Sequence, residues 1–69
     1  MRLWRRWPVL ERVIVNTRSG LVFRGVLAMR RRDYVVIRAA QMVKGTGEVV
    51  PVDGEVLVER TNLDFIQIL

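Results

Sequence analysis

Cysteine and histidine are both absent from the chain. Their absence removes disulfide staples, the thiolate nucleophile, the commonest general base and the usual transition-metal ligands together. Proline is scarce at two residues, and aromatics make up only 7%. No apolar run approaches the roughly 20 residues that a membrane-spanning helix needs. The opening MRLWRRWPVL interleaves arginine with its apolar residues and makes a poor signal peptide. These absences point to a soluble protein that is not secreted, in a reducing compartment. Lysine is nearly missing too, since eleven of the twelve basic residues are arginine.

What remains is 69 residues with a net charge of +5. A chain of this length makes one domain, and its core is too small to be strongly stable alone. Without disulfides or a metal, oligomerisation is the remaining stabilising device. The charge is unevenly placed: residues 1–44 carry +9 and residues 45–69 carry −4. Such asymmetry suits a surface that meets a polyanion, and equally a basic face of one copy meeting an acidic face of the next.

Strand signals dominate after Pro8. ERVIVNT (11–17) is short and β-branched, and the RSG after it offers Gly20 for a turn that needs positive φ. LVFRGVLAM (21–29) has Gly25 in its middle, the mark of a sharp bend or bulge. YVVIRAAQMV (34–43) is the third strand. KGTGEVVPVDG (44–54) holds three glycines and a proline, and is expected to be a loop or loose hairpin. EVLVE (55–59), a one-turn RTN connector and LDFIQIL (63–69) complete the chain as fourth and fifth strands. Five short strands joined by tight turns predict an all-β fold, a small and strongly bent barrel. At the N-terminus, RLWRRW is helix-compatible, with Leu3, Trp4 and Trp7 on one face and Pro8 closing the helix. It is expected to cap an open end of the barrel. The alternative is an Arg/Trp segment that stacks bases or lies in a membrane interface.

The last strand is apolar on both faces, with Leu63, Phe65 and Leu69 alternating against Ile66 and Ile68. A strand buried in its own barrel accounts for one apolar face only. An unpaired apolar edge is a template for association, and the ordered outcome is pairing with a second copy. The interface candidates on this strand are Phe65, Ile66 and Ile68. A head-to-tail contact of this kind closes into a ring where the rotation allows.

Nothing supports catalysis. Ser19 lies in a turn with no base nearby in sequence, and the carboxylates of VDGEV read as solvent-facing. No glycine-rich loop precedes a helix, so a nucleotide cradle is not expected. Catalytic residues, metal ligands and cofactors are therefore all expected to be absent.

VIVNTRSGLVFRGVL, VVIRAA and EVLVERTNLDFIQIL together resemble the Sm/LSm family, as does the short N-terminal segment ending near a proline. The resemblance runs over most of the chain. It implies a single Sm-like domain over 1–69, with a helical cap at 1–8 and the barrel at 9–69. It also implies a homo-oligomeric ring of about five to seven copies, joined through the fourth and fifth strands, which adds Val56 and Val58 on the fourth strand to the interface candidates, and RNA bound in the ring pore. The RNA motifs depart from the family pattern. Where the family has Asp, an apolar or aromatic residue and then Asn before the third strand, this chain has Arg30, Arg31, Arg32, Asp33 and Tyr34. Where the family has Arg-Gly, this chain has Glu59-Arg60. Arg30, Arg31, Arg32, Tyr34 and Arg60 remain as candidates to hold phosphate and stack a base, since neither task needs the missing asparagine. The other options for the arginine run are a solvated turn, or a contact with acidic groups, such as Glu48, Asp53, Glu55 or Glu59 of a neighbouring copy or those of another protein. SG..FRGVL and PVDGEV.V.R.N.DFIQ.L further resemble compact Sm-like proteins of tailed bacteriophages that infect actinobacteria. That likeness implies a virion or assembly component, in the host cytoplasm or the particle. Its partners would be other phage structural proteins, RNA or another polyanion, and not a membrane.

Overall fold

A computed structural model describes residues 10–69 of the chain. The helix expected at 1–8 lies outside the described residues. The described part is an antiparallel sheet of β1 (Arg12–Thr17), β2 (Val22–Arg30), β3 (Tyr34–Val43), β4 (Val49–Pro51), β5 (Val56–Glu59) and β6 (Leu63–Ile68). A 3-10 turn, Arg60–Asn62, links β5 to β6. Along the sheet the order is β4-β3-β2-β1-β6, with β5 also pairing with β3. Consecutive in sequence, β5 and β6 thus hang from different strands, β3 and β1, and the short turn bridges the two flanks of a sheet curled around its core.

That core is made by alternation. Val13 and Val15 of β1 are fully buried while Ile14 and Asn16, on the other face, are half-buried. Leu27, Val35, Ile37, Ala40 and Val58 complete the cluster, with Phe23, Val52, Val56, Leu63 and Ile66 packed against it.

Gly25 acts as the expected bend. Arg24 pairs with Gln41 and Val26 with Arg38, so Ala39 and Ala40 of β3 both face Gly25. This is a bulge, with two residues opposing one. Ala39 reaches φ 52 to make it. The backbones close up so far that a Cβ at Gly25 would lie 2.7 Å from Arg38 O and 2.8 Å from Ile37 Cγ2. At the other glycine singled out by sequence, Gly20 has φ 95 and its N–H donates to Thr17 O at 3.1 Å, closing the β1–β2 turn.

Two details differ from expectation. The described residues form six strands where five were expected, because the segment expected as a loop or loose hairpin takes the hairpin form, with Val49–Pro51 pairing with Gln41–Val43. β4 and β5 lie along the same edge of β3, and the Val52 N–H donates to Ala40 O at 2.9 Å between them. They are one edge broken at Asp53 and Gly54, and the glycines that signalled a loop instead make the Lys44–Glu48 turn and this break. Second, Leu63 does not share a face with Phe65. Thr17 pairs with Leu63 and Asn16 with Phe65, so Asp64 is an extra residue. That bulge turns Leu63 to the core side with Ile66.

Candidate interfaces at the arginine turn and the open strand edges

The β2–β3 connection is Arg31 to Asp33, and the Arg31 N–H donates to Tyr34 O at 2.8 Å to close it. The same turn is tied to the 3-10 turn. The Arg60 N–H donates to Asp33 O at 2.7 Å, and Arg60 Nη2 donates to Arg31 O at 2.9 Å. From its other end, the Asn62 Oδ1 accepts from the Ser19 N–H at 3.0 Å and the Arg18 N–H donates to Asn62 O at 2.7 Å. Asn62 Nδ2 also donates to Ser19 Oγ at 3.2 Å. Two turns far apart in sequence are thereby held against one three-residue link.

The result is an open depression lined by Arg30, Arg31, Arg32 and Arg60. All four are exposed. Four of the five residues proposed from sequence for phosphate contact are therefore brought together. Tyr34 is half-buried at the start of β3 and is not in the lining. Of the acidic residues considered as partners for the arginines, Glu55 pairs with Arg38 at 3.3 Å within the chain. Both side chains are more than half exposed, so this pair contributes little to stability. Among the described residues no group of three or more acidic side chains is placed to hold a metal ion, and no helix is long and apolar enough to cross a membrane.

The strand edges form the second candidate interface. In an antiparallel pair, alternate residues turn their N–H and C=O toward the partner strand. The bond from Arg60 N–H to Asp33 O fixes the phase on β5. Val58 and Val56 direct their groups to Val35 and Ile37, so Leu57 and Glu59 direct theirs to the opposite side. On β6 the Leu69 N–H donates to Arg12 O at 2.9 Å. Gln67 and Phe65 then face β1, while Ile66 and Ile68 turn their groups away. Among the described residues no strand pairs with either outer edge.

The side chains at these edges are apolar and uncovered. Phe65 is 52% exposed, Ile68 55% and Leu57 56%. Of the other residues proposed from sequence, Val56 and Ile66 are half-buried against the core and Val58 is buried within it. Leu57 was missed. Its signal lies in the alternation of EVLVE, where an apolar residue occupies the face opposite Val56 and Val58.

A β3 edge carrying β5 and a β1 edge carrying β6, around a core bent at Gly25, is a known architecture. The solved structure of a heptameric archaeal Sm protein superposes with a TM-score of 0.80 over 90% of each chain, at 22% identity. The fold is that of Sm proteins. The sequence itself matches no family model and no curated protein. Within the Sm-fold frame, the arginine depression is formed by the segments before the third long strand and after β5. These are the two places where the sequence departs from the Sm RNA motifs.

Proposed function

We propose that the chain is a non-enzymatic Sm-like subunit that closes into a homo-oligomeric ring and works as a structural or assembly module. The observation that carries this is the presence of two different open, apolar edges on one chain, β5 and β6. Unlike edges pair head to tail, and a head-to-tail contact gives a ring when its rotation closes. The heptameric state of the structural neighbour supports the same arrangement. The resemblance to the Sm/LSm family supports about five to seven copies in that ring. The stretches similar to phage-encoded Sm-like proteins support a place in a phage particle or its assembly, beside other phage structural proteins in the host cytoplasm or the virion. Sedimentation equilibrium at micromolar concentration tests the assembly. The expected particle mass is about five to seven times the 8.1 kDa of one chain, and a mass of 8.1 kDa contradicts it.

The collected arginines favour a second role, in which the ring holds the phosphates of single-stranded RNA or another polyanion at Arg30, Arg31, Arg32 and Arg60. Without the base-reading side chains, such binding is expected to be steep in salt and blind to sequence. Titration with oligo-U, oligo-A and duplex DNA at two salt concentrations checks this. Each arginine removed, beginning with Arg31→Ala, is expected to lower the log–log salt slope by up to about 0.7 on single strands. No binding at low salt contradicts it.

A further inference from the structure

We infer that the outer face of β1, β2 and β3 carries an anion site separate from the arginine depression, and that it takes a carboxylate side chain from an acidic segment of a partner protein. The site is a recess of about 200 Å3 lined by Arg12 of β1, by Arg24, Gly25 and Val26 of β2, and by Ala39 and Gln41 of β3. It shares no residue with the depression formed by Arg30, Arg31, Arg32 and Arg60. The site stands whether or not the copies assemble.

The strand registers put its polar side chains on one face. Arg12 is opposed to Val26, and Arg24 to both Ile14 and Gln41. Opposed residues in a sheet share a face. This face is the one turned away from the buried Val13 and Val15. The bulge at Ala39 and Ala40 brings Arg38 onto it as well, opposite Val26. Val26 and Ala39 supply an apolar wall beside the polar groups.

The polar side chains of the recess are left without partners, which points to a ligand. Arg24 and Gln41 are half-buried, and neither they nor Arg12 make a side-chain hydrogen bond or ion pair with any described residue. A guanidinium partly withdrawn from water and left unpaired is costly, and an incoming anion restores the lost interactions. The neighbouring Arg38 shows the kind of match this face makes, since its Nε donates to Glu55 Oε2 at 3.3 Å.

Charge and shape choose the occupant. Residues 1–9 hold three arginines and no acidic residue, so the chain's own N-terminal segment is not charge-matched. Glu55, which reaches this face, is already paired with Arg38. A polynucleotide needs a positive path that follows its backbone, and the Glu55 carboxylate interrupts that path at Arg38. A single carboxylate on a methylene stem needs only one recess. Its oxygens accept from Arg12, Arg24 and the Gln41 carboxamide, and its stem lies along Val26 and Ala39.

The test titrates fluorescein-labelled octaglutamate with the full chain at low salt and reads its anisotropy. Saturable binding is expected. Arg24→Gln and Arg12→Gln are each expected to weaken it about tenfold or more. Lys44→Gln removes the same charge from an exposed turn outside the recess, and should change it less than about twofold. Neither arginine has a partner among the described residues to lose, and circular dichroism checks that the variants fold. Absence of saturable binding, or equal losses from all three variants, overturns the site. A larger loss with Arg31→Gln than with Arg24→Gln places the peptide in the depression and also overturns it. Oligo-U that binds the unaltered protein and loses as much affinity with Arg24→Gln makes the recess a nucleic-acid site. A change in particle mass with Arg24→Gln makes it a contact between copies. Either result overturns the acidic partner.

Discussion

Phe65→Asp is expected to leave the single chain folded and to reduce the multi-copy particle to monomers. Phe65 lies on the face of β6 away from the core and is 52% exposed in the single chain. A carboxylate there stays in water, and the monomer should lose no more than about 0.5 kcal/mol, as for an ordinary surface substitution. In the proposed assembly the same position lies in the apolar contact between copies. The carboxylate must then give up its hydration without a partner, which costs several kcal/mol in each contact. Since about 1.4 kcal/mol is a tenfold change in affinity, loss of assembly at micromolar concentration follows. Sedimentation reads the mass, and circular dichroism on the same sample reads the fold. An intact ring with Phe65→Asp contradicts the expectation. Ile66→Asp should also break the ring, but Ile66 packs against the core, so that change is expected to lower monomer stability as well.

The second large effect is expected from Gly25→Ala. The added Cβ would meet Arg38 O at 2.7 Å and Ile37 Cγ2 at 2.8 Å, and the first of these is backbone in the bulge. Relief requires the β2–β3 crossing to open, and Ile37 cannot move freely because it is fully buried. Forced overpacking of this kind costs about 1–3 kcal/mol. In a domain of this size each kcal/mol moves the midpoint by roughly 4–8 °C, so a loss of roughly 5–20 °C is expected. Gly45→Ala is the control, since a Cβ at Gly45 meets nothing within 4 Å. Both are compared with the unaltered protein at one chain concentration, because assembly makes the midpoint concentration-dependent. An unchanged midpoint for Gly25→Ala would mean that the close approach is not limiting.

These two positions also show how far the sequence is legible. Gly25 stood out because a glycine inside a β-branched strand has few other uses, and it does sit at the bend. The partner feature, a bulge at Ala39 and Ala40, was visible only as two small residues. Small side chains permit a bulge without specifying one. The strand at Val49–Pro51 was hidden for a related reason. Its segment is rich in glycine and proline, which left loop and loose hairpin both open; the pairing with the far half of β3 across a tight turn takes the second form. The phase of β6 was misjudged at Leu63 because period-two alternation assumes an unbroken ladder, and Asp64 interrupts it.

For the candidate interfaces, residue type was a better guide than position. Three consecutive arginines are conspicuous in any sequence, but their gathering with Arg60 depends on hydrogen bonds from Arg60 to Arg31 and Asp33 across the chain. Tyr34 was included because it follows the run, yet the pairing of β3 with β5 holds it outside the depression. Val58 was chosen for its place on an edge strand. Alternation turns it inward and puts Leu57 outward instead.

The account depends on the outward backbone groups of β5 and β6 being bonded between copies. Residue-resolved amide hydrogen exchange on the unaltered protein at micromolar concentration tests this directly. The amides of Leu57, Glu59, Ile66 and Ile68 are predicted to be protected to a degree comparable with those of Val13 and Val35 in the core strands. Exchange at these four amides as fast as at the exposed Gly45 and Thr46, while the core strands stay protected, would contradict it.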